Sequence, residues 1–407
     1  MTQPALTAPR RPALSQVEFV AMMAMLTATV AFSIDAMLPA LDDIGAELTP
    51  ANPNRAQLIL SSFVLGMGLG TLFTGPLSDA WGRKPVILGG ALLYCAGAAL
   101  AYVAPSLEWV LAARLLQGLG AAGPRVVALA TVRDLYAGRD MARIMSFVMI
   151  VFMVVPAVAP SIGALIIAGF GWRSVFAAFI LFSLLSILWH GLRMPETLAP
   201  QDRRPLRAGL LWEALREVLR HPTVRLSIMV QTLSFSMLFA MLSTVQPLFD
   251  RSYGRGDEFP LWFAGIAVIS ALAGWVNSRL VVRIGMRRII RGILQIQIVI
   301  SSLMIAAVLG PIGQGPEFVV FLVWTSSVFF QGGLTIGNLN ALAMEPMGHI
   351  AGMAASTIAA LATVGSVIIA APIGQMFDGT PLPVAIGILC CAILALILAR
   401  GLKREKT

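Results

Sequence analysis

The chain has 407 residues, of which 58% are hydrophobic and only 12% charged, and its mean hydropathy is +0.84. This composition excludes a soluble globular protein and predicts an all-α membrane protein. The net charge of +9 would favour nucleic acid as the partner of a soluble domain, but here the cations collect in short loops between apolar runs, which is the positive-inside pattern. We therefore expect the chain to lie in the lipid bilayer and to bind no nucleic acid.

Apolar runs of about twenty residues, the length that a helix needs to cross about 30 Å of hydrocarbon, predict twelve transmembrane spans. Polar, glycine or proline turns separate them. Their approximate limits are 17–40, 55–77, 85–104, 108–132, 144–168, 174–193, 225–248, 260–282, 292–311, 317–343, 353–376 and 383–400.

The longest loop divides these spans six and six. The predicted parts are a cytoplasmic tail (1–16), a six-helix bundle (17–193), a central loop (194–224), a second six-helix bundle (225–400) and a short tail (401–407). An even number of spans puts both termini on one side. With that side inside, the only outer-loop arginines are Arg55, Arg173, Arg251 and Arg255, so both termini are predicted to be cytoplasmic.

The central loop carries apolar residues at helical spacing. Leu206, Leu210, Leu211, Leu215, Val218 and Leu219 recur among Arg207, Arg216 and Arg220. This pattern predicts an amphipathic helix on the cytoplasmic surface. The alternative is a solvated linker.

The two halves repeat each other weakly. Ser278–Arg288, between spans eight and nine, has the layout of Gly75–Lys84, between spans two and three, and Leu38-Pro39 resembles Gln246-Pro247. Two repeated six-helix halves around a midplane site are a transporter architecture. Val282 stands where Asp79 would be, so an acidic contact is expected in the first half only.

Ionisable residues inside spans are few, and each costs roughly 2.5–3.5 kcal/mol on insertion scales, so each is a functional candidate. They are Asp35, Arg114, Arg125 and Arg279. Asp35 and Arg114 lie at a similar depth below the outer boundary and can pair. For Asp35 one interpretation is a proton carrier and the other is a static ion pair or a helix-end hydrogen bond near Pro39.

The Gly75–Lys84 stretch puts a carboxylate and two cations between two long apolar runs. It predicts a charge latch at the cytoplasmic face. The alternative is a turn whose positive flanks only set topology.

In span five, Pro156, Pro160 and Gly163 favour a hinge in a helix that rocks. The alternative is ordinary membrane packing, in which glycine and proline are also common. Amides of the second half, Gln231, Gln246, Gln331, Asn338 and Asn340, are candidates to line a water-filled cavity.

Several motifs together resemble one known family. Gly75–Lys84 resembles the loop signature of the major facilitator superfamily, Arg114–Ala122 its span-four motif and Asp35–Leu41 its span-one motif. Val155–Gly163 is similar to a variant of the span-five motif of proton antiporters. With Arg133–Tyr136, Met194–Thr197 and Ala343–Gly352, the chain resembles the Bcr/CflA group of drug:proton antiporters from end to end.

The resemblance implies a fold of two pseudo-symmetric halves and alternating access, with a cavity between spans one, four, seven and ten. It implies Asp35 as the coupling carboxylate and Arg114 as its partner in proton handling. It also implies a cytoplasmic gate that ties Asp79 and Arg83 to the fourth and eleventh spans, with Asp134 as partner. The expected gate residues are Gly75, Asp79, Gly82, Arg83, Lys84 and Asp134, and the expected cavity residues are Met37, Gln117, Arg125, Gln231, Gln246, Gln331, Asn338 and Asn340.

The predicted function is therefore export of small amphiphilic or drug-like compounds in exchange for protons, by a monomer in a bacterial inner membrane. The alternative is a proton symporter that imports one metabolite. Two departures from the group bear on substrate choice and direction: Met37 stands where the group often has tyrosine, and Ala159-Pro160 replaces Gly-Pro. The three cysteines, Cys95, Cys390 and Cys391, all lie in apolar runs, and no phosphate-binding G-x-x-x-x-G-K-[ST] pattern occurs. No metal, no cofactor and no enzymatic activity are expected.

Overall fold

The computed structural model describes residues 14–203, 205, 206 and 208–402. The predicted N-terminal tail up to residue 13 lies outside the described residues, as do Arg204, Arg207, Lys403, Arg404 and Lys406. The described residues are helical and contain no strand. The predicted all-α architecture is confirmed.

The first half contains six long helices and one short one. They are α1 (Gln16–Asp35), α2 (Leu41–Leu48), α3 (Leu58–Trp81), α4 (Arg83–Tyr102), α5 (Leu107–Leu135), α6 (Gly138–Phe170) and α7 (Ser174–Arg193). Short 3-10 turns at Leu38–Ala40 and Pro53–Gln57 flank α2. The first span was predicted to continue to residue 40, but α1 ends at Asp35, before the turn that contains Pro39.

The second half begins after the central loop. Its elements are α8 (Ala208–Arg220), α9 (Pro222–Pro247), α10 (Phe259–Ile284), α11 (Met286–Leu309), α12 (Gln314–Met344), α13 (Ala351–Gln375) and α14 (Leu382–Arg400). Eleven stretches of described residues are long and apolar enough to span a membrane, and one of them, Gln314–Gln375, contains both α12 and α13. The described part of the chain therefore forms twelve helices of membrane length.

Single glycines turn the chain between the paired helices of each half. Gly82 separates α3 from α4 with φ 106°, and Gly285 separates α10 from α11 with φ 80°. Such positive φ values suit glycine because it has no Cβ. The sequence predicted a loop of several residues at Gly75–Lys84, and this was wrong, because α3 remains helical through Pro76 to Trp81. We call the face that carries these two turns the inner face, after the predicted orientation, and the opposite face the outer face.

The halves meet along two seams. The first packs α3 against α13, and the second packs α6 against α10. Within the first half, α5 lies between α3 and α4. A Cβ atom at Gly118 of α5 would lie 2.0 Å from the carbonyl oxygen of Phe63 in α3, so only glycine permits this approach.

The central helix α8 packs on the second half. Its Val218 is fully buried in a cluster with Val224, Ile228 and Ile358, and Glu217 Oε1 lies 2.6 Å from His349 Nε2. Trp212 remains exposed. The apolar side of α8 thus packs partly on protein, and its predicted position on the membrane surface stays a prediction.

Candidate functional site

Asp35 is the last residue of α1 and is only 5% exposed. Its carboxylate forms no hydrogen bond or ion pair with any residue that the structure describes. A buried carboxylate without a partner is costly in its charged form. This arrangement favours a group that exchanges a proton with its surroundings over one that holds a static charge.

Arg114 of α5 is fully buried and contacts the end of α1, but the predicted ion pair with Asp35 does not form. Its Nη2 donates to the carbonyl of Ser33 at 3.1 Å, its Nη1 donates to Gln117 Oε1 at 2.8 Å, and its guanidinium stacks on the Phe63 ring at 4.3 Å. Ser33 carries one of the last four carbonyls of α1, which lack the full set of helical partners and attract a cation. Arg114 is therefore satisfied by α1 itself, two residues before Asp35.

Ser33 connects a further side chain to this group. Its hydroxyl is hydrogen-bonded to the hydroxyl of Tyr94 in α4, which is fully buried. One residue of α1 therefore holds Arg114 through its carbonyl and Tyr94 through its side chain. A movement of the α1 end would change the surroundings of Asp35 and Arg114 together.

The predicted cavity residues do not gather around one cavity in this state. Gln231 bonds Asn340 at 3.1 Å, Asn338 bonds Asn277 at 2.7 Å, and Met37 is buried in the apolar core. Arg125 is half-buried with its Nη1 3.2 Å from Met67 Sδ. Gln331 donates to the Ser234 carbonyl at 3.3 Å, and Gln246 is 7% exposed.

A narrow cleft, with room for only about one water molecule, lies instead between α3, α9 and α13. Its lining residues are Leu60, Ser61, Val64, Phe239, Leu242, Val367 and Ala370. None of the predicted cavity residues lines it. Apart from Ser61, its lining is apolar. The Gln231 side chain of α9 instead bonds Asn340 of α12, and Gln331 of α12 donates to the Ser234 carbonyl of α9.

Three of the residues predicted to form a gate come together at the inner face, and their role as a gate stays a prediction. Arg83 Nη1 lies 2.6 Å from Asp79 Oδ1, and its Nε lies 2.8 Å from Asp134 Oδ2. The Arg83 side chain is 11% exposed, whereas that of Asp79 is 42% exposed. The arginine thus links the end of α3 to the end of α5. Gly75 faces Ser356 of α13, since a Cβ atom added at Gly75 would lie 3.8 Å from Ser356 Oγ, so the α3–α13 seam reaches this gate.

Glu196 caps the first turn of α4. Its Oε1 accepts from the backbone N–H groups of Arg83 at 2.9 Å and Leu198 at 2.9 Å, and its Oε2 accepts from that of Lys84 at 3.1 Å. The first N–H groups of a helix have no helical acceptor and attract a carboxylate. Lys84 Nζ donates to the carbonyl of Gly191 at 2.7 Å. The start of the central loop therefore holds the gate arginine in position.

A weaker counterpart lies in the second half. Arg287, one residue after the start of α11, is 3.6 Å from Glu345 at the end of α12. The sequence predicted an acidic contact in the first half only, because Val282 replaces the aspartate. The end of α10 supplies no acidic residue at this position, as expected. Arg287 nevertheless meets a carboxylate, because Glu345 at the end of α12 supplies one.

Asn54 ties the two halves together at the outer face. Its Nδ2 donates to the Phe377 carbonyl at 2.5 Å, its backbone oxygen accepts from Gln375 Nε2 at 2.7 Å, and its Oδ1 lies 3.4 Å from Arg251 Nη1. Arg251 also bonds Asp42 Oδ1 at 2.5 Å. These contacts join the loops beside α2 to the ends of α9 and α13.

The predicted hinge residues lie within an unbroken helix. Pro156 and Pro160 are both inside α6, which runs from Gly138 to Phe170. A Cβ atom at Gly163 would lie 2.1 Å from the carbonyl oxygen of Ala36. Span five thus touches the chain next to Asp35, and its role as a hinge stays a prediction.

The family is established by comparison with known proteins. The family model described as Major Facilitator Superfamily matches residues 19–371. The chain belongs to the major facilitator superfamily. It is a multi-pass membrane protein of a transporter family.

Relatives within this superfamily carry resistance and transporter names, as the resemblance to the Bcr/CflA group predicted. The bicyclomycin resistance protein homolog of Haemophilus influenzae is 29% identical over 385 residues, which cover 93% of this chain and 94% of that protein. The uncharacterized MFS-type transporter YdgK of Bacillus subtilis is 26% identical, with 95% of each chain covered. The chloramphenicol resistance protein of Pseudomonas aeruginosa is 31% identical over 58% of this chain and 55% of its own length.

Solved structures of the superfamily share the fold. A D-xylose–proton symporter superposes with a TM-score of 0.76 at 16% identity, over 96% of this chain and 98% of the symporter. The human organic anion transporter MFSD10 superposes with a TM-score of 0.66 at 16% identity, over 95% of this chain and all of that chain. At this level of identity the likeness establishes the fold alone, and it confirms the predicted superfamily architecture.

Two functional candidates in this superfamily member were missed by sequence reasoning. Glu196 stands out only as part of a motif, and Asn54 lies in a polar loop without any pattern. Both act on residues more than a hundred positions away, at Arg83 and at Gln375. No local signal in the sequence marks either contact.

Proposed function

We propose that this protein exports small amphiphilic or drug-like compounds across a bacterial inner membrane in exchange for protons, by alternating access. The names of the relatives support export: bicyclomycin resistance for a protein matched along nearly its whole length, and chloramphenicol resistance for one matched over about half. The substrate class and the antiport with protons belong to the proposal.

The observation that carries proton coupling is the unpartnered carboxylate of Asp35. A permanent charge there would cost roughly 2.5–3.5 kcal/mol on insertion scales without an ion pair to offset it. Protonation removes this cost in the buried state, and exposure to water in another state restores the charge. Inward movement of one proton supplies about 2.3 kcal/mol per 100 mV of membrane potential.

The contacts of Asn54 and Arg251 support an assignment of the described state as closed to the outside. In this state Asp35 is held away from the outer solution, and opening requires these four hydrogen bonds to break. Arg114 contributes by following the α1 end through Ser33. Proton loading and the tilt of α1 are in this way linked to one group of side chains.

The test uses everted membrane vesicles and a fluorescent amphiphilic cation. We expect uptake driven by an inside-acid gradient with the unaltered protein, and loss of this uptake in Asp35→Asn at equal membrane insertion. Asp43→Asn is the matched control, because Asp43 is exposed on α2 and should keep full activity. Gradient-driven uptake that survives in Asp35→Asn would remove Asp35 from the mechanism. Substrate leaving the vesicles together with protons would instead indicate the symporter.

A further inference from the structure

One exposed face of α10 is apolar along most of its length and carries two arginines close to its inner end. Trp275 is 57% exposed and Val282 is 86% exposed, and Arg279 and Arg283 are exposed on the same side. The opposite side of α10 packs on α12 through Ala273 and on α6 through Gly274. The exposed side therefore points away from both neighbours, toward the lipid.

Arg279 lies five residues before the end of α10, about 8 Å along the helix axis. Its guanidinium carbon stands 4.3 Å from the centre of the Trp275 ring. Neither Arg279 nor Arg283 has a carboxylate within ion-pair distance among the described residues. Arg287, which lies beyond the Gly285 turn in α11, does have one in Glu345. Among the described residues, no protein carboxylate therefore compensates the charge of Arg279 or Arg283, unlike that of Arg287.

Two like charges four residues apart on one helix repel each other unless an anion lies between them. Arg279 sits inside the predicted span, so its side chain extends toward the membrane surface, where the phosphates of the lipid headgroups lie. A guanidinium presents a planar set of N–H donors that matches two phosphate oxygens. Tryptophan is preferred at the level of the lipid headgroups.

We propose that the Trp275–Arg279–Arg283 face of α10 binds the phosphate of an anionic phospholipid in the inner leaflet. The two arginines donate to the phosphate oxygens, Trp275 lies at the glycerol level, and the acyl chains run along the apolar part of α10, past Leu272 and Val268. The proposal uses the predicted orientation, in which this end of α10 meets the cytoplasmic leaflet. It does not depend on substrate or on proton coupling.

The test compares phosphatidylglycerol with phosphatidylcholine of the same acyl chains, added to the purified full-length protein in mild detergent. Native mass spectrometry counts the retained lipids, and thermal unfolding reports their effect. We expect preferential retention of phosphatidylglycerol, a higher unfolding temperature with it, and a loss of affinity of about fivefold for each of Arg279→Gln and Arg283→Gln. Arg139→Gln, which removes an exposed inner-face arginine on α6, is the matched control and should bind as the unaltered protein does.

Equal retention of the two lipids would overturn the proposal. An equal loss in Arg139→Gln would reduce the effect to general surface charge, and an unfolding shift reproduced by inorganic phosphate would indicate an ion site instead of a lipid site. Should the glutamine variants not fold, Arg279→Lys and Arg283→Lys keep the charge and remove the planar fork. Unchanged phosphatidylglycerol affinity in both lysine variants would then count against phosphate recognition.

Discussion

Gln375 donates from Nε2 to the backbone oxygen of Asn54 across 2.7 Å, and this bond joins residues 321 positions apart in the chain. The Asn54 side chain adds its own bonds to the Phe377 carbonyl and to Arg251. One asparagine therefore contacts the outer ends of two helices of the second half, α9 and α13. Neighbouring Gln57 is buried with its amide unpaired among the described residues, so closure of the outer face is opposed as well as stabilised.

Replacing Asn54 by alanine should favour the outward-open form. Two side-chain hydrogen bonds are lost, at about 0.5–1.5 kcal/mol each, so the equilibrium should shift about fivefold or more toward opening. The measurement is the rate at which an impermeant maleimide, added outside, labels Ser61→Cys in a background without Cys95, Cys390 and Cys391. Ser61 lines the cleft between α3, α9 and α13.

Asn52→Ala supplies the control for this experiment. Asn52 is exposed two residues earlier and its side chain caps nothing. Labelling should remain at the level of the unaltered protein. Equal labelling rates in the two alanine variants would mean that the Asn54 contacts do not hold the outer face.

The two inner-face arginines should differ in importance. Arg83 is nearly buried between Asp79 and Asp134, so Arg83→Gln leaves partly buried carboxylates uncompensated and should destabilise the protein by about 3 kcal/mol. Arg287 meets one carboxylate, Glu345, that is 53% exposed at 3.6 Å, and such pairs contribute about 0–1 kcal/mol. Chemical unfolding in detergent and transport in vesicles measure both effects. Equal losses in Arg83→Gln and Arg287→Gln would contradict this asymmetry.

Span positions could be predicted from the sequence because hydrocarbon requires long apolar runs. The limits predicted for span six, 174–193, coincide with α7. The directions in which side chains point could not be predicted in the same way. Residue counts give the depth of Asp35 and Arg114 along the helix axis but not the side to which a side chain turns. Arg114 turns toward the Ser33 carbonyl, and that choice depends on where α1 ends.

The contacts of Arg83 could be predicted in part. Arg83 and Asp134 were paired through the family resemblance, and the structure brings them within 2.8 Å. The cap from Glu196 needed the three-dimensional course of the central loop, which returns to α4 after 113 residues. Polar residues of α9 and α12 were predicted to line a cavity, but residue type alone does not separate a water-facing amide from one bonded across a helix interface, such as Gln231 with Asn340.

Removing the Glu196 carboxylate should weaken the first turn of α4. Glu196→Ala leaves the N–H groups of Arg83 and Lys84 without an acceptor, and charged hydrogen bonds contribute about 1.5–3 kcal/mol each, so a loss of about 3–6 kcal/mol is expected. Glu196→Gln keeps one acceptor oxygen and should lose less. The measurement is chemical unfolding in detergent.

Asp202→Ala is the control for Glu196, since Asp202 is an exposed acid in the same loop. It should unfold as the unaltered protein does. Hydrogen exchange adds a local reading: amides 83–86 should exchange faster in Glu196→Ala only. Unchanged exchange at these amides would show that other groups cap α4.

A methyl group at Gly118 should disrupt the contact between α3 and α5. Its position would be 2.0 Å from the Phe63 carbonyl oxygen, which belongs to the backbone and cannot rotate away. Overpacking costs about 1–3 kcal/mol where side chains can yield, so Gly118→Ala should cost at least that much. Because Phe63 also stacks on Arg114, transport should fall together with the unfolding temperature.

Gly89→Ala is the matched control. Gly89 lies on α4 with no atom within 4 Å of the added methyl, so the unfolding temperature of this variant should stay the same or rise. If Gly118→Ala and Gly89→Ala have the same unfolding temperature, the fold does not require the close approach of α3 to α5.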